Sequence, residues 1–134
     1  MKLFDIFKKN KKEDELPEEA KRWNKFIEDV CYRDVETLSQ IQKNAVLCFW
    51  YDAEMQNGGH CGYFDCYPDT IPEELSNAIL EVSYKEIADN YTKALTDGEN
   101  DDWEETDNAY YNFVPSLCDC LEKYVEKYKD IIFD

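Results

Sequence analysis

Apolar residues recur at helical spacing along most of this chain and a two-residue alternation persists nowhere, which restricts the fold to helices packed on helices. The clearest stripe is Trp23, Phe26, Ile27, Val30 and Cys31, at i, i+3, i+4, i+7 and i+8. It follows Pro17-Glu18-Glu19, where proline in the first turn and early acids suit a helix start. A second helix is expected from about Val35 to Gln56, with Leu38, Ile41, Ala45, Cys48 and Phe49 on one face. Val46, Leu47 and Trp50 widen that face, so this helix should lie at the centre of the core. Pro68 and Pro72 then bracket Asp69-Thr70, and either Asp69 or Thr70 can cap a helix carrying Leu75, Ala78, Ile79 and Val82. Ser83 marks a break before the Ile87, Tyr91, Ala94, Leu95 stripe, which Gly98 ends. A last region with Tyr110, Tyr111, Phe113 and Val114 is interrupted at Pro115 and resumes through Leu117, Leu121, Tyr124, Val125 and Tyr128. The expectation is an all-α, single compact domain of about five to seven helices over residues 16–134, behind a mobile charged tail over 1–15. With 43% hydrophobic residues, 134 residues can build one core.

Between the second and third of these helices lies Glu54-Met55-Gln56-Asn57-Gly58-Gly59-His60-Cys61-Gly62-Tyr63-Phe64, which holds the only histidine. Adjacent glycines carry no Cβ penalty at a left-handed helix end, and Asn57 also tolerates that geometry, so a Gly-Gly turn is expected after the second long helix. Glu54 and Asn57 share a helix face, which suggests that the carboxylate takes Asn57 or backbone donors and fixes the turn. The stretch resembles the signature Glu-x-x-Asn-Gly-Gly-(Phe or His)-x-Gln-(Tyr or Phe)-Phe of the bacterial DNA mimic protein family. Glu54, Asn57, Gly58, Gly59, His60, Tyr63 and Phe64 match, while Gly62 stands where the family usually carries Gln. The resemblance continues more weakly to about Leu95. It implies that the motif is structural, with Tyr63, Phe64 and His60 as packing residues.

Charge decides which partners are compatible. The net charge is −16, yet residues 1–12 carry five lysines against Asp5, which leaves the other 122 residues at −20. Between Asn44 and Glu122 the cations are Lys85 and Lys93, facing eighteen carboxylates. Such a body repels phosphate, so direct nucleic-acid binding is excluded and basic protein partners are favoured. No apolar run reaches the roughly 18 residues of a membrane span, and the basic start lacks the features of a signal peptide, so the chain reads as cytoplasmic. Met1–Phe7 with the lysines that follow could make a weak contact with an anionic membrane, beside the simpler reading as a solubilising tail.

The densest charge is Asp97, Glu99, Asp101, Asp102, Glu104, Glu105 and Asp107, seven acids in eleven residues with Trp103 among them. A calcium loop starting at Asp97 would need Gly where Asp102 stands and Glu where Asn108 stands, so that reading fails. These eight residues are the candidate partner-binding surface, with Trp103 as interface anchor or core residue and a solvated connector as the plainer reading of the carboxylates. Cys31 and Cys48 read as small core hydrophobes. Neither Cys61/Cys66 nor Cys118/Cys120 has structural-zinc spacing, so no metal site, no cofactor and no catalytic residue is assigned.

The leading expectation is a non-enzymatic acidic interaction protein. The resemblance implies a DNA mimic that occupies the basic surface of a DNA-binding regulator. A second reading is an immunity- or antitoxin-like inhibitor of a basic toxin. A third is a small metal-dependent enzyme using Glu54 and His60. The oligomeric state is open, a homodimer included.

Overall fold

The computed structural model describes residues 15–134, so the tail expected over 1–15 falls, but for Glu15, outside the described residues. Seven α-helices and no strand occur among the described residues. They are α1 (Glu18–Glu28), α2 (Gln40–Cys66), α3 (Pro72–Val82), α4 (Lys85–Asp97), α5 (Glu104–Asn112), α6 (Leu117–Lys127) and α7 (Lys129–Ile132), with 3-10 turns at Val30–Tyr32, Val35–Thr37 and Gly98–Asp101. The fold is the expected all-α, single compact domain.

Helix α2 is the centre of the core and packs against α3, α5, α6 and α7. Its start corrects the expectation at Val35. Residues Val35–Thr37 form their own 3-10 turn, in which the Asp34 carboxylate accepts from the Glu36 amide at 3.1 Å. The long helix begins after Ser39, whose hydroxyl accepts from the Gln42 amide at 3.2 Å while the Gln42 side chain accepts from the Ser39 amide at 2.9 Å. This reciprocal pairing satisfies two amides that would otherwise lack partners. Nor does α2 stop at Gln56. Helical backbone resumes beyond a kink at Gly59 and continues to Cys66, because Tyr51, Met55, Gly59 and Tyr63 keep one buried line at four-residue spacing. The segment that carries Tyr63 is thus a short helical stretch joined to the longer one across the kink at Gly59.

Helix α3 also starts differently from the sequence reading. Neither Asp69 nor Thr70 caps it: extended Ile71 precedes Pro72 at the first helical position, and the Thr70 hydroxyl pairs with the Tyr63 hydroxyl at 2.9 Å. Ser83 ends α3 as expected, its hydroxyl donating to the Ile79 carbonyl at 2.7 Å. At the far end, Ser116 and Asp119 form a second reciprocal cap that starts α6 just beyond Pro115.

The core is rich in tyrosine. Tyr51 is fully buried and meets Tyr63, Tyr91 and Tyr110 edge-on with ring centres 5.1 to 5.5 Å apart, the geometry that ring quadrupoles favour. Arg22 on α1 holds Glu126 on α6 through two bonds of 2.6 and 2.7 Å, and Lys43 on α2 meets Glu74 on α3 at 2.7 Å. Cys31 and Cys48 are buried, and burial pushes both thiols far above their ordinary range.

Candidate functional site

The motif and the acidic run, separated by more than thirty residues in sequence, meet in space. Helix α5 makes the junction through Asp107, Tyr110 and Tyr111, which share one face at i, i+3 and i+4. Asp107 Oδ1 accepts from the His60 backbone amide at 3.0 Å and pairs with His60 Nδ1 at 2.7 Å. The Tyr110 hydroxyl donates to Asp52 at 2.5 Å, and the Tyr111 hydroxyl donates to the Met55 carbonyl. Three side chains thus clamp α5 onto α2 through four hydrogen bonds.

Gly59 makes the approach of Asp107 possible. Its backbone lies at φ +67°, ψ −164°, a region open essentially to glycine alone. A Cβ at this position would stand 2.4 Å from Asp107 Oδ2. Within the motif, positive φ is confined to Gly59: Gly58 is helical and exposed, with open space around it, and Asn57 is exposed too. Glu54 does not serve Asn57 as expected. Its carboxylate instead lies opposite Gly62 and the Cys66 thiol.

His60 is fully buried, and the hydrogen bonds around it fix its protonation. A carboxylate can only accept, so Nδ1 carries the proton and donates to Asp107. Nε2 is then free to accept from the Tyr51 hydroxyl, 2.6 Å away. Both ring nitrogens are used inside the core, leaving no lone pair for a metal, and Glu54 is not among the ring's partners. Among the described residues no three His, Cys, Asp or Glu side chains converge as a ligand set. Burial pushes the imidazole below its ordinary range, against the opposing pull of Asp107. Burial also pushes the Cys118 thiol up to about 12, so it is no activated nucleophile.

Because the chain has one histidine, its titration can be read directly by NMR. The expected result is a neutral imidazole protonated on Nδ1, with an apparent pKa below 6.5. A lowered folded-state value means that the unfolded chain takes a proton first as pH falls. The contribution of this group to stability is thus present above about 6.5, falls as pH drops from there to the folded value, and is level below it. A titration at or above 6.5 would contradict the buried neutral assignment.

The acidic run is a built structure and not a loose connector. Gly98–Asp101 forms a 3-10 turn, Asp102 and Trp103 both adopt left-handed backbone at φ 58° and 62°, and α5 begins at Glu104. A left-handed tryptophan is uncommon and costs on the order of 1 kcal/mol, so its surroundings must hold it there. The Trp103 indole donates to the Ala94 carbonyl at 3.0 Å and lies 6.0 Å from the Phe64 ring. It also crosses Gly98 so closely that a Cβ there would stand 2.1 Å from the indole. Trp103 is half-buried as a result.

The eight acidic-run residues therefore divide by role. Asp107 faces inward to His60, Asp101 accepts from the Glu105 amide at 3.0 Å, and Glu105 meets Lys93 on α4 at 2.5 Å. Asp97, Glu99, Asp102 and Glu104 are exposed, and no ion pair among the described residues engages them. Beside them runs a groove of about 420 Å³, walled by Phe64, Tyr91, Leu95 and Trp103 and carrying the exposed carboxylates Asp65 and Glu99. Sequence reading missed both the groove and the His60–Asp107 bond. The second had a signal, since Asp107 shares a helix face with Tyr110 and Tyr111.

No helix among the described residues is long and apolar enough to cross a membrane. No curated protein matches the chain, and no solved structure does. A family model described as DMP19-like protein matches residues 36–131, which takes in the whole motif and the whole acidic run. With most of its length so matched, the chain belongs to the DMP19-like family of DNA mimic proteins.

Proposed function

We propose that this chain is a non-enzymatic, cytoplasmic DNA mimic whose acidic face occupies the basic surface of a DNA-binding protein. The observation that carries this reading is the set Asp97, Glu99, Asp102 and Glu104, exposed and outside every ion pair among the described residues, on a backbone pinned by Trp103 and Asp107. Carboxylates held in place hold their field in place, and a fixed field attracts a basic partner at less ordering cost than charges on a loose loop. Residues on adjacent helical turns lie about 5–6 Å apart, so a short acidic helix and turn present closely repeated negative charge, as a strand of phosphates does. Family membership supports the same reading, while the partner itself is identified only by its chemistry, a basic nucleic-acid-binding surface.

The test is capture from cell lysate on the immobilised full chain, with bound proteins identified by mass spectrometry. Basic DNA-binding proteins should be enriched, released by added duplex DNA, and weakened above about 0.3 M salt as screening shortens the field. The triple variant Asp97→Asn, Asp102→Asn, Glu104→Gln leaves Asp101, Glu105 and Asp107 in their structural roles, and Asn tolerates the left-handed backbone of position 102. It should lower capture about tenfold at physiological salt. Unchanged capture by this variant, or binding that duplex DNA does not displace, would refute mimicry.

A further inference from the structure

We infer that the groove beside the acidic face seats an arginine side chain from an extended basic segment of the partner. This rests on the reading above, that the partner is a basic protein, and adds where and how one residue of it is recognised. The groove combines two properties. Its walls are aromatic and aliphatic: Phe64 lies 6.0 Å from Trp103 and 6.4 Å from Tyr91, and Leu95 is 42% exposed beside them. Its charged lining residues are Asp65 and Glu99, both acidic and both outside every ion pair among the described residues.

Apolar walls alone would suit a neutral ligand, and exposed carboxylates alone would suit any cation. Together they select a cation on an apolar stem. Arginine fits better than lysine, because its planar, weakly hydrated guanidinium stacks on aromatic faces and can meet a carboxylate with two parallel bonds. Trp103 has its indole N–H already bound to Ala94, so the ring offers its π surface and no competing donor. At about 420 Å³ the groove has the size of a ligand pocket and room for backbone beside the side chain, which favours an extended segment over an isolated ion.

The experiment measures fluorescence anisotropy of the full chain with a short labelled peptide of arginine spaced by glycine and serine, against lysine and citrulline counterparts, at about 0.15 M salt. The arginine peptide should bind at least about threefold tighter than the lysine peptide, and the citrulline peptide should lose about tenfold. The double variant Asp65→Asn, Glu99→Gln should weaken the arginine peptide about tenfold. Glu28→Gln with Asp130→Asn, an equal charge change on α1 and α7, which do not line the groove, should weaken it no more than about twofold. Equal loss in the two double variants, or undiminished citrulline binding, would overturn the inference.

Lysate capture separates it from the parent reading. If the groove variant retains full, duplex-displaceable capture of DNA-binding proteins, the groove inference fails and mimicry stands. If the wild type binds the arginine peptide in the groove yet captures nothing that duplex DNA displaces, the groove stands and mimicry fails.

Discussion

Gly59→Ala should destabilise the fold by about 3–5 kcal/mol, and Gly58→Ala, one residue earlier, should stabilise it by about 0.5–1 kcal/mol. The opposition in sign comes from backbone and space together. Gly58 is helical and exposed, with nothing within 4 Å of the point where a Cβ would stand, so alanine gains helix propensity and restricts the unfolded chain. Gly59 sits at φ +67°, ψ −164°, where an L side chain costs on the order of 1–3 kcal/mol. Its Cβ would also stand 2.4 Å from Asp107 Oδ2, so the carboxylate that holds His60 must shift. For a domain of this size the loss amounts to a fall in Tm on the order of 10–20 °C, measured by calorimetry beside a small rise for Gly58→Ala. Equal melting temperatures for the two variants would show that the kink at Gly59 does not govern the fold.

The helices were legible because their apolar faces repeat. Trp23 to Cys31, Leu75 to Val82 and Leu117 to Tyr128 each place buried residues at helical spacing, and burial follows the stripe. Boundaries were harder, since two signals compete at each end. At α2, the expected start at Val35 falls in a 3-10 turn capped by Asp34, and the long helix begins only at the Ser39-x-x-Gln42 box, which satisfies two amides. Past the glycines, a turn signal competed with the buried line through Tyr51, Met55 and Tyr63, and the chain honours both by kinking within a continuing helix. The site was less legible because its parts meet only in three dimensions. The groove joins the end of α2 to the end of α4 and to Trp103, and no spacing in the sequence states that contact.

The acidic run shows why composition alone misassigns roles. Seven carboxylates in eleven residues look equivalent as charges, and their roles separate only by what each side chain meets in the fold. Asp107 reaches His60 across the close approach at Gly59, while Glu104, at the first position of the same helix, is exposed. The fold thus commits part of its acidic run to its own architecture and leaves the remainder outward. Neutralising the whole run at once would confound stability with recognition.

Asp107→Ala should therefore cost about 2–4 kcal/mol, whereas Glu104→Ala, three residues away in the same helix, should stay within about 0.5 kcal/mol of the wild type. Removing the Asp107 carboxylate strands two donors, the His60 backbone amide and the Nδ1 proton of an imidazole that is fully buried. Buried donors without acceptors carry their full desolvation cost. Asp107→Asn keeps an oxygen acceptor and should lose only about 1 kcal/mol. A double-mutant cycle identifies the mechanism: with His60→Phe the ring donor is gone, so Asp107→Ala should then cost about 1–2 kcal/mol less than it does beside His60. Urea denaturation of the four proteins measures the coupling. Zero coupling, or an Asp107→Ala variant as stable as Glu104→Ala, would place Asp107 back among the outward carboxylates. Capture of basic partners by Asp107→Asn gives the complementary readout, and it should match the wild type, since the charge removed faces His60 and not the partner.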